Sequence, residues 1–446
     1  MHPYELGLTA AAIAIRERSL TATELARSVI ERGEKVDPEI HAMTFYDAER
    51  LLYAAKEVDR RIENGEALGA IAGIPIGIKD IYDSAGIPTT HGVTGVPPTV
   101  PAFSAPSVER VYAAGGLLYG KTATTQRAFL DPAETCNPWS LSHTPGGSSS
   151  GSAAGVAARM FPVALGSQTV GSVIRPASFC GVVGMTLTPG RVPISKGVLP
   201  LAPLYDQPGF FVRSVEDAEL FAAVWCGVDS LEDLEPLGAP DTLFQRPAFL
   251  GFARLFLEIT EDEAAHKILH ATRTLSEKGS IVHVLKMPDS YGEFMAVHRT
   301  ILSHEASQVH RDRFEKNPDE FGPHIGALVE EGLQVEPDAY RGALSLRDAF
   351  RKDMLKRLAE VDAIVLPASP GAAPATLTRT GDPSCNSPWT AIGFPAINLP
   401  CAETEAGMPL GLQIVGRPGG ERGLLWVAKR CEQALGHGCA MPPLAV

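Results

Sequence analysis

The sequence predicts an α/β sandwich, and three observations carry that prediction. Short apolar runs with interspersed glycine, AIAGIPIGIKDIYD at 70–83 and LLYGKT at 117–122, read as buried strands. A strand covered on both faces loses the polar alternation of an exposed sheet. Helical segments with their own start signals lie between such runs: Thr21 and Glu24 in LTATELARSVIERGEK form a capping box, in which each side chain satisfies the other's backbone N–H. The two kinds of segment alternate along the chain, and layered packing of helices on a sheet buries both.

The elements follow in order. Leu25, Val29 and Ile30 give the first capped helix one apolar stripe, and a second helix spans about Asp47 to Asn64 with charge outward. The run at 70–83 predicts a strand ending near Lys79 and Asp80. SAPSVERVYAAGG reads as a helix leading into the strand LLYGKT, and Ser152 to Met160 as an Ala-rich helix whose small side chains let neighbours approach closely. FLGFAR, a helix from Glu261 to about Glu277, and SIVHVLKM predict strand, helix, strand. Helices rich in charge and histidine run from Tyr291 to about Ala359. VDAIVLPASPG is a buried strand leaving into a Pro-rich loop, and ETEAGMPLGLQIVGR suggests a hairpin. There are no internal repeats.

Bulk properties narrow the function. At 446 residues, with 45% hydrophobic and 20% charged residues, the chain supports a large core. A net charge of -13 argues against a nucleic-acid backbone as partner, since that needs clustered Lys and Arg. The beginning of the sequence lacks a basic region followed by an apolar one, and no apolar run reaches about 18 residues, so neither a signal peptide nor a membrane partner is expected. Seven cysteines without a Cys-x-x-Cys pair point away from a disulfide framework and toward a cytoplasmic protein.

The informative stretch is TPGGSSSGSAAGVAARMFPVALGSQTVGSVIRPASFCG, residues 144–181. Its long apolar runs exclude a flexible linker. GGLLYGKT at 115–122 matches G-x-x-x-x-G-K-[ST], but Leu117, Leu118 and Tyr119 look like the strand itself and a helix precedes it, the reverse of a phosphate loop. Lys121 is therefore a strand-end lysine. GSSSG at 147–151 fits a nucleophile elbow with Ser149 central, yet a proline-containing loop stands where the strand should be. The remaining route is a serine activated by a neutral lysine, which requires a desolvated ammonium. Lys79 has the most apolar surroundings of any lysine here; Ile74, Ile76, Ile78 and Ile81 push it toward neutrality and Asp80 pushes back. Activity is then expected to rise with pH and stay high on the alkaline side. GSQTVGS, 166–172, supplies a loop whose N–H groups can face a developing oxyanion.

These residues resemble the amidase signature hydrolases, strongly over about 70–200 and again at TGDPSCNSPWTAIGFPAINLP and PLGLQIVGRP. The resemblance implies an α/β/α sandwich with a large mixed central sheet covered by helices. It implies a Ser-cis-Ser-Lys triad: Lys79 in G-x-K-D, Ser148 after Gly-Gly and joined by a cis peptide, and the nucleophile Ser172, 24 residues further on. The backbone of Thr169, Val170, Gly171 and Ser172 would form the oxyanion hole, and Gly147, Ser149, Gln168 and Arg175 are candidates for substrate contact. Three departures from the common G-T-D-x-G-G-S-I-R stand out. Asp becomes Gln168, a glycine becomes Val170 beside the scissile carbonyl, and the arginine falls one residue late, at Arg175.

The function so implied is hydrolysis of the C–N bond of an amide or amide-like carbamate (urethane) through an acyl-enzyme, with no metal or cofactor. The alternative is a glutaminase-type subunit of an amidotransferase complex. The expected partner is a small-molecule amide or carbamate, the expected state monomer or homodimer. The expected organisation is one catalytic unit: a helical segment 1–65, a core 66–200, a variable pocket region 201–360, and a part completing the core, 361–446. Phe129, Trp139 and Leu141, in loops near the motif, suggest a hydrophobic substrate without an obligatory negative charge. Cys180 reads as a core residue, and His298, His304 and His310 as helix face or pocket wall before metal ligands.

Overall fold

The computed structural model describes residues 2–194, 196–227 and 246–445. The described helices and strands, in chain order, are α1 (Leu8–Arg16), α2 (Ala22–Ile40), β1 (Met43–Tyr46), α3 (Ala48–Glu63), β2 (Pro75–Lys79), α4 (Pro106–Ala113), β3 (Leu117–Thr122), α5 (Ser150–Ala157), β4 (Val163–Gln168), α6 (Ile174–Cys180), β5 (Val183–Thr186), β6 (Gln207–Val212) and α7 (Val215–Cys226). There follow β7 (Phe249–Phe252), α8 (Asp262–Glu277), β8 (Ile281–Val284), α9 (Ser290–Lys316), α10 (Pro323–Leu333), α11 (Pro337–Leu358), β9 (Ala363–Pro367), α12 (Ser387–Ala391), β10 (Ala396–Glu403), β11 (Pro409–Val415) and α13 (Glu421–Leu435).

All eleven strands form one sheet, in the order β1-β3-β2-β4-β6-β5-β10-β11-β9-β7-β8. It is mixed: β3, β2 and β4 run parallel, as do β8, β7 and β9, while the centre from β4 to β9 is antiparallel. Helices cover both faces, and strand β6 shows it directly. A Cβ on Gly209 would lie 2.8 Å from Val173, at the start of α6, whereas the ring of neighbouring Phe210 meets Phe221 of α7 edge-on at 5.0 Å. Successive strand residues point to opposite faces, so α6 and α7 lie on opposite sides of the sheet.

Local signals place the elements where the sequence suggests. The Thr21–Glu24 capping box opens α2 and Asp47 caps α3. β10 and β11 form the antiparallel hairpin, and β7, α8 and β8 make the parallel strand–helix–strand unit. The Ala-rich helix starts earlier than expected, at Ser150, and stops at Ala157. Its small residues do let it lie on the sheet: Ser152 Oγ donates to Leu165 O at 2.8 Å, and a Cβ on Gly155 would come within 2.2 Å of Phe161. Helices α9, α10 and α11 build a second apolar core with Phe256, Trp389 and Ile364. It takes in Phe129, from the loop after β3, and Ile174, at the start of the helix after β4.

Candidate active site

Lys79 is the last residue of β2, and its side chain is fully buried. Its Nζ lies 2.7 Å from Ser148 Oγ and 2.9 Å from Ser167 Oγ. Ile76, Ile78 and Ile81, also fully or almost fully buried, enclose the strand end. Desolvation pulls the Lys79 ammonium from the ordinary 10.5 to about 7, and the charge of Asp206 works against that fall. The expected opposition from Asp80 is not found. Asp80 pairs with Lys121 Nζ at 2.9 Å and accepts hydrogen bonds from Thr90. The same pairing answers the phosphate-loop match, since Lys121 is buried between Asp80 and Thr89 Oγ1.

Ser148 reaches Lys79 from the long loop after β3. Gly146 turns that loop at φ 83°, a left-handed conformation open to glycine, and a Cβ there would stand 2.8 Å from Pro176 Cα. The Gly147–Ser148 peptide is cis. Thr125 N–H and Ser150 N–H both donate to the Ser148 carbonyl, at 3.1 and 2.9 Å. Arg175 holds the residue before it: Nη2 donates to Gly147 O at 2.7 Å and to Thr380 Oγ1 at 3.1 Å, and Nη1 donates to Gly381 O at 2.7 Å. Ser149 N-caps α5 with its hydroxyl 3.3 Å from Ser167 O. A loop, not a strand, precedes it, so it lacks the setting of an elbow nucleophile.

The loop from Thr169 to Val173 links β4 to α6 and carries Ser172, which is 7% exposed. Gln168 secures both of its ends. The Gln168 Oε1 accepts from the N–H groups of Val173 and Ile174, at 2.9 and 3.0 Å. Its Nε2 donates to Thr390 Oγ1 at 2.8 Å, and Thr390 Oγ1 in turn donates to Val170 O. Gly171 is held close to Asn386, whose Oδ1 would be 2.7 Å from a Cβ there. Among the described residues no acceptor takes the backbone N–H of Thr169, Val170, Gly171 or Ser172. Ser149 N–H reaches Ser172 O at 3.4 Å, tying the two serine segments together.

Ser172 opens into a cavity of about 290 Å³. Apolar groups dominate its wall: Phe129 and Leu130, Val170, Leu201, and Met295 and Leu302 of α9. Polar contributions come from Arg175, His298, Arg299, Asp382 and Ser384. His298 stacks on Tyr205 at 5.1 Å, and burial lowers its pKa to about 4. Of the residues singled out in the sequence, Phe129, Thr169, Val170, Ser172, Arg175 and His298 reach this wall. Gly147, Ser149 and Gln168 brace the backbone behind it. Trp139 packs on Phe179 instead, donating to Cys180 O at 2.9 Å, and Leu141 packs on the main core. Cys180 is buried, its thiol pushed well up by desolvation. His304 and His310 point elsewhere, against Tyr340 and Phe321. Sequence reading missed Ser167, which completes the Lys79 environment, and Asp206. Neither carries a local motif.

Lys79 and the cis-linked Ser148 thus meet at the carboxyl end of β2, and the contact of Ser149 N–H with Ser172 O ties the Ser172 loop, with its cavity, to the Ser148 segment. Comparison with known proteins gives the same neighbourhood. The family described as Amidase matches residues 24–425. A glutamyl-tRNA(Gln) amidotransferase subunit from a Cyanothece species is 33% identical, covering 94% of this chain and 95% of its own. A putative amidase, AmiD, of Mycobacterium bovis is 31% identical over 99% of this chain and 96% of its own. A solved structure described as an amidase superposes with a TM-score of 0.87 at 28% identity, covering 96% of this chain and 99% of that one. With a family match spanning nearly the whole chain and solved amidases sharing its fold, the protein belongs to the amidase signature family.

Proposed function

We propose that the chain is a free-standing serine hydrolase that cleaves the C–N bond of neutral, largely apolar amides and carbamates. The observation that carries this reading is the 2.7 Å contact between a fully buried Lys79 and Ser148, whose segment is tied through Ser149 N–H to the carbonyl of Ser172. Neutral Lys79 accepts the proton of Ser148, and Ser148 accepts that of Ser172 as Ser172 Oγ attacks the carbonyl. The oxyanion is taken by N–H groups of residues 169–172, donors aimed where charge develops. Collapse breaks the C–N bond and returns the proton along the same relay to the departing amine. Water, deprotonated by the same base, then attacks the acyl-enzyme and releases the acid; a carbamate follows the same path, its amine leaving first and the carbonic half-ester released by water losing CO2.

The apolar wall from Phe129 to Leu302 supports a hydrophobic substrate, and the engagement of Arg175 with backbone carbonyls supports one without an obligatory carboxylate. The relatives named as amidotransferase subunits favour a second reading, a glutaminase acting within a complex. One experiment separates them. The purified chain, sized by gel filtration, is offered aryl amides, aryl carbamates and glutamine, and then a fluorophosphonate probe. Turnover of hydrophobic amides by the chain alone, with label on Ser172 and none in Ser172→Ala, supports the proposal. Turnover of glutamine only, or label on Ser149, refutes it.

A further inference from the structure

Asp206, in the turn entering β6, is a carboxylate at the site with no role in the proton relay. Three donors meet it. Thr169 Oγ1 donates to its Oδ1 at 2.5 Å, the N–H of Ala202 reaches the same oxygen at 3.3 Å, and the N–H of Leu201 reaches Oδ2 at 3.0 Å. Two of these partners belong to the site: Thr169 opens the loop that carries Ser172, and Leu201 lines the cavity.

We propose that Asp206 is a positioning residue: it clamps the Ser172 loop through Thr169, fixes the cavity wall through Leu201, and places a negative charge opposite Lys79. The inference rests on the reading of Lys79 as the base. A clamp of this kind suits a loop whose N–H groups must stay unpaired, since the side chains then carry its fixation. The charge has a second consequence. Among the described residues, Asp206 is the charged group whose field favours the Lys79 ammonium; Asp80 is taken up by Lys121, and Arg175 faces Gly147 and Gly381. Around Asp206 the titratable neighbours are Lys79 and Tyr82, whose hydroxyl donates to Gly166 O at 2.8 Å. Burial pushes the Asp206 carboxyl up, while its three donors and Lys79 favour the ionised form.

Removing that charge destabilises the ammonium of Lys79, so the amine becomes available at lower pH. For Asp206→Asn, the acid limb of kcat/KM should therefore move down by about one pH unit, the low end of what an opposite charge at short range imposes. Asp206→Ser, smaller and without the amide N–H that would face Leu201, repeats the measurement if the asparagine variant does not fold. Thr169→Val keeps the charge and removes the clamp: kcat should fall at least tenfold with the limb in place, and Thr169→Ser should restore it. A limb that stays put or rises in the Asp206 variants overturns the electrostatic part, and an unchanged kcat in Thr169→Val overturns the clamp. A wild-type limb that persists in Lys79→Ala would instead refute the lysine mechanism itself, so the two failures are distinguishable.

Discussion

Replacing Lys79 with methionine should abolish turnover and yet stabilise the fold at neutral pH. Lys79 is fully buried, and the fall of its pKa from 10.5 to about 7 corresponds to ~5 kcal/mol of lost preference for the charged form. The sign follows from proton counts. Unfolded, the lysine keeps its proton up to about pH 10.5; folded, it sheds it near 7. Between those values the unfolded state binds more protons, so wild-type stability rises with pH. The penalty is largest below about pH 7 and disappears above about 10.5. Methionine has nearly the same length and no charge to desolvate, but it leaves the Ser148 and Ser167 hydroxyls without their partner, at ~1 kcal/mol each. The variant should thus be ~3 kcal/mol more stable than wild type in mild acid, and most of that gap should close from about pH 6.5 to about pH 9. Urea denaturation followed through the buried Trp225 and Trp389 measures it, and groups common to both proteins cancel. A variant less stable than wild type at every pH, by a constant amount, would show that burial does not hold this lysine neutral.

Wild-type kcat/KM should rise through one deprotonation near pH 7 and stay high on the alkaline side, and Lys79→Ala should erase that limb; His298, at about 4, cannot supply it. Gln168→Ala unties Val173 and Ile174 N–H and should lower kcat by about 10²-fold, the scale of one misplaced oxyanion donor, with an unchanged fluorescence spectrum. Arg175→Ala releases Gly147 O and Gly381 O, so it should impair a neutral amide and its carboxylate analogue alike; a loss confined to the carboxylate would assign Arg175 to substrate recognition. Leu302→Lys puts a cation into the apolar wall and should raise KM for aryl amides at least tenfold while leaving kcat within a few fold.

Much of the fold is legible because its signals are local. β3 occupies LLYGKT as the sequence predicts, since a short apolar run between a helix and a loop has few alternatives. The hairpin of β10 and β11 and the capped starts of α2 and α3 are equally local. Strand order is not. That β4 pairs antiparallel with β6 while β5 sits between β6 and β10 depends on contacts far apart in sequence, and no residue in β5 announces it. The same limit hid the depth of the pocket: Met295 and Leu302 fall in a stretch rich in charge and histidine, and only the folded position of α9 puts them on the wall of the Ser172 cavity.

At the site, composition points to Lys79 and the resemblance to the amidase signature hydrolases implies Ser148 and Ser172, whereas the departures from the common pattern gain their meaning from three-dimensional partners. Aspartate at position 168 would offer two acceptor oxygens; glutamine offers one acceptor and one donor. The structure engages both halves, Oε1 with Val173 and Ile174 and Nε2 with Thr390. That donor extends the anchor to Val170 O through Thr390, at the residue where a branched side chain replaces glycine. The two departures are therefore one adaptation: Val170 narrows the cavity wall, and the longer side chain at 168 holds its backbone in place. Arg175, one residue late in sequence, sits one helical step further round α6 and, at the cavity wall, donates to the Gly147 carbonyl. Its burial, with the pKa lowered to about 10, fits a brace whose charge is shielded by backbone dipoles. If this is right, Gln168→Asp alone should be worse than Gln168→Asp with Val170→Gly, because the shorter acid abandons Thr390 while the valine still needs it. Equal kcat/KM for the two variants would show that positions 168 and 170 are independent.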